Sequence, residues 1–287
     1  MLLRKEEKAV EAYRAWLIHR EQSPATIEKY TRALARFFRE SQGSAQGKDA
    51  LVPTREAVAA WRDGLVARGY APASVNSMLA GINGYQDFCG NPQGKARPLK
   101  RQRRIFCDAD RELEREEYFR LLDAARKQGN KRALLLLQTI CATGIRVSEL
   151  SAITVQAVRC RKARIRCKGK CREILLPREL CNKLQRWCDK RHIRSGPVFL
   201  GRTGKELSRV TVWKIIKALC KQAGVAREKV FPHNLRHLFA RTFYAIEKNL
   251  SKLADVLGHS NIETTRVYIM ESGMEHERLL NRMKLLL

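Results

Sequence analysis

Residues 232–240 read Pro232-His-Asn-Leu-Arg236-His-Leu-Phe-Ala240 and open a segment expected to be helical over 233–247. His233 and Arg236 are three apart, so they share a helical face and can reach one phosphate-sized anion together. Upstream, Thr143-Gly144 breaks a helix expected over 131–142, and the Arg146 guanidinium is placed to project from the start of whatever follows. Downstream, Gly258 ends a helix expected over 251–258 and leaves His259 at a junction before a last helix over 261–269. Further helices are predicted near 114–127, 178–190 and 208–223. Between them, Ala163–Cys167 and Glu173–Leu176 read as a short β-hairpin whose turn contains Gly169.

The first ninety residues carry a different pattern, that of four helices. Val10, Tyr13, Trp16 and Leu17 lie on one face of the first. Ser23-Pro24 forms an N-cap with proline at the first helical position, ahead of Ile27, Tyr30, Leu34, Phe37 and Phe38. Thr54 caps a third helix bearing Val58, Trp61 and Leu65. The fourth carries Val75, Met78, Leu79, Ile82, Tyr85 and Phe88 and is weakened by Gly81 and Gly84. Residues 90–105 lose any amphipathic period and bring Lys95, Arg97, Lys100, Arg101, Arg103 and Arg104, the composition of a basic interdomain linker.

With 57 Lys+Arg against 29 Asp+Glu in 287 residues, the formal charge is +28. Such an excess gains from releasing the counterions condensed on a nucleic-acid backbone, so nucleic acid is the expected partner. No apolar run reaches the roughly 18 residues of a membrane span, and the start Met1-Leu-Leu-Arg-Lys-Glu6 lacks a secretory h-region. A cytoplasmic, nucleoid-associated protein with no membrane partner is expected. Nine cysteines without a Cys-x-x-Cys pair fit reduced thiols. Cys160, Cys167, Cys171 and Cys181 cluster, but at spacings unlike a zinc knuckle, so no metal site is expected. Gly201-Arg-Thr-Gly-Lys205 is too short for a P-loop and reads as a turn.

Three stretches taken together carry more than any one of them. Cys141-Ala-Thr-Gly-Ile-Arg146-Val-Ser-Glu-Leu150, the 232–240 stretch and Leu257-Gly-His259-Ser-Asn-Ile-Glu-Thr-Thr265-Arg-Val-Tyr268 occur in that order. They closely resemble the boxes of the tyrosine recombinase (phage integrase) family, including the nine-residue step from His259 to Tyr268. More loosely, Ser23-Pro-Ala-Thr-Ile-Glu-Lys-Tyr30 resembles the helical core-binding domain of that family, and the architecture is most similar to two-domain Xer-type recombinases. The resemblance implies a mainly α fold with a small β-sheet. It comprises a helical N-terminal core-binding (SAM-like) domain over 1–90, a basic linker over 91–110, and a mixed α/β catalytic domain with a tail helix over 111–287.

The same resemblance implies site-specific cleavage and rejoining of DNA through a 3′-phosphotyrosine and a Holliday junction. Its setting would be chromosome dimer resolution or mobile-element integration and excision. Tyr268 is then the nucleophile, His233 the base that assists it, and Arg146 and Arg236 the forks that hold the non-bridging oxygens in the transition state. His259 adds a hydrogen bond to the same phosphate, and Glu149 supports its neighbours. A lysine acts as general acid; Lys168 aligns best in Arg166-Cys-Lys-Gly-Lys-Cys-Arg172, and Lys170 stays open as the alternative. The arginines supply the positive charge, so no cofactor is implied. Leu238 stands where the family often has a small hydroxyl residue, and His237 reads as a packed or supporting group.

The helix over 208–223 is expected to turn Arg209, Lys214, Lys217 and Lys221 outward, against an inner face of Val210, Trp213, Ile216 and Cys220. Arg159, Arg161, Lys162, Arg164 and Arg166 flank the hairpin as phosphate contacts. Met274, Leu279, Leu280, Met283, Leu286 and Leu287 read as a tail helix that packs on its own domain or on a neighbouring protomer. The resemblance implies the second, a tail exchanged within a homo-tetramer, or a hetero-tetramer with a related recombinase, on double-stranded DNA. Two rival readings are a catalytically silent architectural DNA-binding protein and a type IB topoisomerase-like enzyme.

Overall fold

The computed structural model describes residues 4–41, 51–100, 109–167, 170–201, 203–259, 261–269 and 281–283. The chain divides into two compact units, Met1–Arg103 and Arg104–Leu287. Among the described residues, no helix is long and apolar enough to cross a membrane.

In the first unit four helices, α1 (Arg4–His19), α2 (Pro24–Ser41), α3 (Arg55–Ala67) and α4 (Pro72–Phe88), surround an aromatic core. Ser23 and Thr54 cap as their sequence positions imply: the Thr26 and Ala57 backbone N–H groups donate to their hydroxyls. Tyr13, Leu17, Leu34, Trp61, Leu79, Ile82 and Tyr85 are buried. Gly81 and Gly84 cost α4 helix propensity, yet they permit its packing. A Cβ at Gly81 would lie 3.1 Å from the Tyr30 Cα of α2, and one at Gly84 would lie 2.4 Å from Tyr13 Oη. Tyr13 Oη instead donates to the Gly81 carbonyl at 3.0 Å.

Part of the stretch that lacks amphipathic period is fastened to α4 by side-chain amides. Asn83 donates to and accepts from Ala96, at 3.0 and 3.2 Å, and Asn76 does the same with Leu99, at 2.9 and 2.8 Å. Positions 76 and 83 are two turns apart on α4, so an extended segment can pair with both. Periodicity could not reveal this, because the pairing uses backbone groups of residues 96 and 99.

The second unit contains α5 (Arg115–Lys127), α6 (Lys131–Thr143), α7 (Val155–Cys160), β1 (Lys162–Cys167), β2 (Lys170–Leu175), α8 (Arg178–Lys190), α9 (Arg209–Lys217), α10 (Cys220–Ala223), α11 (Pro232–Glu247), α12 (Leu250–Leu257) and α13 (Ile262–Arg266). Two 3-10 turns, Val147–Ala152 and Val267–Ile269, complete the site region. The strands form one antiparallel hairpin with Cys167 opposite Lys170 and Ile165 opposite Arg172. Its inward residues Ala163, Ile165 and Ile174 join the core built by α6 and α8. α7 was not expected from the sequence; its six residues are too few for a clear period, and the Thr154 side chain caps it.

The segment expected as one helix over 208–223 is two, α9 and α10, and its faces differ from the reading above. Val212, Ile216, Leu219 and Cys220 form the buried stripe, whereas Val210 (60% exposed) and Trp213 (43% exposed) face solvent. Lys217 is buried: its stem packs inward and its ammonium donates to the Arg227 carbonyl. Both stripes have helical spacing, and only the packed core selects between them.

Glycines in α3 and α4 provide a paired test. Gly64 has nothing within 4 Å of an added Cβ, so Gly64→Ala should stabilise by about 0.5–1 kcal/mol through helix propensity. Gly81→Leu drives a side chain into the backbone of α2 and should destabilise by about 1–3 kcal/mol. Urea midpoints of the full-length variants read both.

Candidate active site

Two helix ends bracket the site. α6 stops at Gly144, which adopts a left-handed conformation (φ 61°), and a Cβ there would lie 2.4 Å from the Phe239 ring. α12 stops in the same way at Gly258 (φ 65°), where a Cβ would lie 2.3 Å from Arg172 Cδ. Glycine is demanded at both, by conformation and by space. The chain then delivers Arg146 and His259 within two residues of these turns.

α11 lies between them and supplies His233 and Arg236. Arg236 is 1% exposed. Its Nη1 donates to the Gly144 carbonyl at 2.5 Å, and its Nη2 to the Leu257 carbonyl at 2.9 Å. The same Nη2 lies 2.9 Å from His259 Nε2. A guanidinium has no acceptor, so His259 Nε2 must be the unprotonated nitrogen. Nδ1 therefore carries the proton and donates to Thr265 Oγ1, 2.8 Å away. In this state His259 accepts from Arg236 and orients its guanidinium. The buried Arg236 Nε has no hydrogen-bond partner among the described residues.

Tyr268, 6% exposed, sits in the 3-10 turn after α13 with its ring among three imidazoles. Ring centroids are 4.3 Å from His237, 5.4 Å from His259 and 5.4 Å from His233. Its Oη lies 3.5 Å from His233 Nε2, at the outer limit of a hydrogen bond. His233 keeps an exposed edge.

Glu149 organises the arginines from beneath. Its carboxylate accepts from the Arg146 backbone N–H at 3.0 Å, from Arg146 Nη1 at 2.9 Å and from Arg172 Nη2 at 2.5 Å. The Arg146 side chain remains 39% exposed on its other edge. Burial would raise the Glu149 carboxyl, but the Arg146 N–H and the two guanidinium groups outweigh it and hold the group below the usual carboxylate range.

The field around these groups is positive. Burial, reinforced by Arg146, pulls the Arg236 pKa down to about 10. Burial followed by His237, Arg236 and Arg146 takes His233 down to about 4, and burial with Arg236, Arg146 and Arg172 takes His259 to about 4. At neutral pH both imidazoles are uncharged and the guanidiniums hold a cleft suited to an anion.

Arg146, His233, Arg236, His259 and Tyr268 are thus brought together in the structure. Lys168 lies outside the described residues, as does the Lys170 side chain. The same holds for the side chain of Arg166 and for Met274, Leu279, Leu280, Leu286 and Leu287 of the tail; Met283 is exposed. Among the described residues no group of three His, Cys, Asp or Glu is placed to hold a metal ion, and the described cysteines are free. Arg172 and Thr265 were not singled out from sequence. Arg172 was legible only as part of a basic hairpin, and its inward position depends on the strand register.

The chain belongs to the phage integrase family: the model of that family matches residues 111–274, and that of the phage integrase N-terminal SAM-like domain matches residues 10–90. It is a tyrosine recombinase, an enzyme of site-specific DNA strand transfer, and the architectural and topoisomerase-like readings are not favoured. The tyrosine recombinase XerA of Pyrococcus furiosus is 28% identical over 97% of this chain and 95% of its own length. Two solved structures share the fold. The XerH site-specific recombinase bound to a palindromic difH substrate has a TM-score of 0.70 at 20% identity, covering 91% of this chain and 80% of that one. A lambda integrase tetramer bound to a Holliday junction has a TM-score of 0.70 at 18% identity, covering 91% and 76%.

The depressed imidazoles have a consequence for stability. An unfolded chain binds protons at His233 and His259 near pH 6.5, whereas the folded one does so only near 4. Unfolding therefore takes up protons between those values, and stability falls as pH drops from about 6.5 toward 4. Histidine NMR titration should place both rings near 4, and His259→Asn should shallow the loss in this window on urea melts.

Proposed function

We propose that Tyr268 attacks a DNA phosphodiester to form a 3′-phosphotyrosine, releasing a 5′-hydroxyl that a partner strand's 5′-hydroxyl later replaces. The bond from Tyr268 Oη to phosphorus forms while the bond to the 5′ oxygen breaks. The phenolic proton passes to His233, and a lysine, Lys168 with Lys170 as alternative, protonates the leaving oxygen. The observation that carries this reading is the 3.5 Å approach of Tyr268 Oη to His233 Nε2 beside the fixed Arg236 guanidinium.

A phenol ordinarily has a pKa near 10, so transfer to an imidazole held at about 4 runs uphill in the empty site. A phosphate docked against Arg146 and Arg236 cancels part of the field that depresses His233. Substrate binding then makes the base stronger. The exposed edge of Arg146 and the unpartnered Nε of Arg236 are the donors available for that phosphate. If His259 also contacts it, its ring must exchange tautomers or release Arg236.

A core-binding domain over 1–90 and a catalytic domain over 111–287, joined by a basic linker over 91–110, engage double-stranded DNA. The exposed face of α9, with Arg209, Val210, Trp213 and Lys214, is a candidate for contact in a groove. Lys162 and Arg164, on the outer face of the hairpin, are candidates for phosphate contacts. Assembly as a homo-tetramer, or a hetero-tetramer with a related recombinase, on a Holliday junction is supported by the likeness to the lambda integrase tetramer. Chromosome dimer resolution or mobile-element movement in the nucleoid is the proposed setting.

The test is covalent trapping on a nicked substrate built from DNA fragments that the protein selects from its source genome. Wild type should give an SDS-resistant protein–DNA band, and Tyr268→Phe should bind equally and give none. Arg236→Lys keeps the charge but loses the fork, and should slow band formation by about a hundredfold or more. A band that persists in Tyr268→Phe would overturn the assignment.

A further inference from the structure

Residues 111–114 lead into the catalytic unit along one stripe of α11. Asn234 Nδ2 donates to the Arg111 carbonyl at 2.6 Å, and Arg241 Nη2 donates to the Leu113 carbonyl at 2.6 Å. Arg241 Nη1 reaches Glu114 Oε1 at 3.3 Å, and between these ties His237 Nδ1 lies 3.5 Å from Glu112 Oε1. Positions 234, 237 and 241 are three and four apart, so one helical face holds the whole segment. The neighbouring face of the same helix carries His233 and Arg236.

Glu112 is a largely buried carboxylate paired with His237 and Arg241. Its side chain is 14% exposed, and its Oε2 lies 3.7 Å from Arg241 Nε, with neither atom hydrogen-bonded among the described residues. Burial would raise its carboxyl, but His237, Arg241 and His233 outweigh burial and keep it ionised at neutral pH. The charge therefore bears on His237 from one side. From the other, the His237 ring meets Tyr268 at 4.3 Å with a tilt of 37°, and meets His233 edge-on at 4.8 Å. His237 is thus a spacer between a fixed carboxylate and the ring that carries the nucleophile.

We infer that Glu112 is a positioning residue for strand cleavage: acting through His237, it sets the plane and depth of the Tyr268 ring so that Oη points at His233 Nε2. The inference rests on Tyr268 being the nucleophile. Among the described residues Glu112 pairs with His237 and Arg241 and makes no hydrogen bond to Tyr268 or His233. Its removal frees the His237 ring to rotate, and the Tyr268 hydroxyl then leaves the line to His233. A misplacement of about 1 Å at a reacting atom can lower a rate by about a hundredfold.

The experiment uses the full chain, the nicked substrate described above, and the variants Glu112→Gln, Glu112→Asp, His237→Asn and the double variant Glu112→Gln/His237→Asn. At saturating DNA, Glu112→Gln should form the covalent complex about tenfold to a hundredfold more slowly, with DNA affinity unchanged. Glu112→Asp, which keeps the charge, should recover part of the rate. The double variant should be no slower than His237→Asn alone, because the carboxylate acts through that ring. The Tyr268 ring signals, assigned with Tyr268→Phe, should shift in Glu112→Gln, and a thermal melt separates loss of fold from loss of alignment. Wild-type cleavage by a folded Glu112→Gln, or additive losses in the double variant, would overturn the role. Failure of the parent chain to give a Tyr268-dependent band removes the nucleophile and this role with it.

Discussion

One buried guanidinium ties the catalytic unit together. Arg236 donates to the Gly144 carbonyl after α6 and to the Leu257 carbonyl that ends α12, while His259 accepts from it. The terminal carbonyls of a helix lack intrahelical partners and carry the negative end of its dipole, so a cation satisfies two needs there at once. Three segments distant in sequence are thereby fixed around one side chain. The residues that follow the two helix ends, Arg146 and His259, inherit their places from that bond network.

The charges are arranged to be unsatisfied until an anion arrives. Glu149 is shared by Arg146 and Arg172, and Arg236 is paired with neutral carbonyls and a neutral imidazole. This leaves more positive charge than the site neutralises for itself, and His233 and His259 respond by giving up their protons far below their ordinary range. Like charges held this close repel one another in the free protein, and the site is electrostatically suited to an anion. Tyr268 is buried in an apolar and imidazole-lined slot beside it, with its Oη 3.5 Å from His233 Nε2.

Much of this was readable along the chain. The bounds of α8, the caps at Ser23 and Thr54, and the helix ends at Gly144 and Gly258 follow from local chemistry, because each depends on residues within one turn. The site residues Arg146, His233, Arg236, His259 and Tyr268 were legible as ordered boxes, since each box carries its own helix start or stop. Three features were not. The orientation of α9 had two helical solutions, and the core chose the one that buries Lys217 and exposes Trp213. α7 was too short to show a period. Residues 96 and 99 pair with Asn83 and Asn76 through backbone groups that no side-chain pattern records.

By itself the sequence determined which side chains stand at helix ends and which chemistry they bring, because capping, turn conformation and charge are local properties. Only the tertiary structure decided what those side chains do to one another. The His259 tautomer, the bridging of two arginines by Glu149, and the passage from Glu112 through His237 to Tyr268 each join residues tens to more than a hundred positions apart. A pKa or a ring orientation depends on distance and burial in space. Those quantities exist only once the core has fixed how the helices pack.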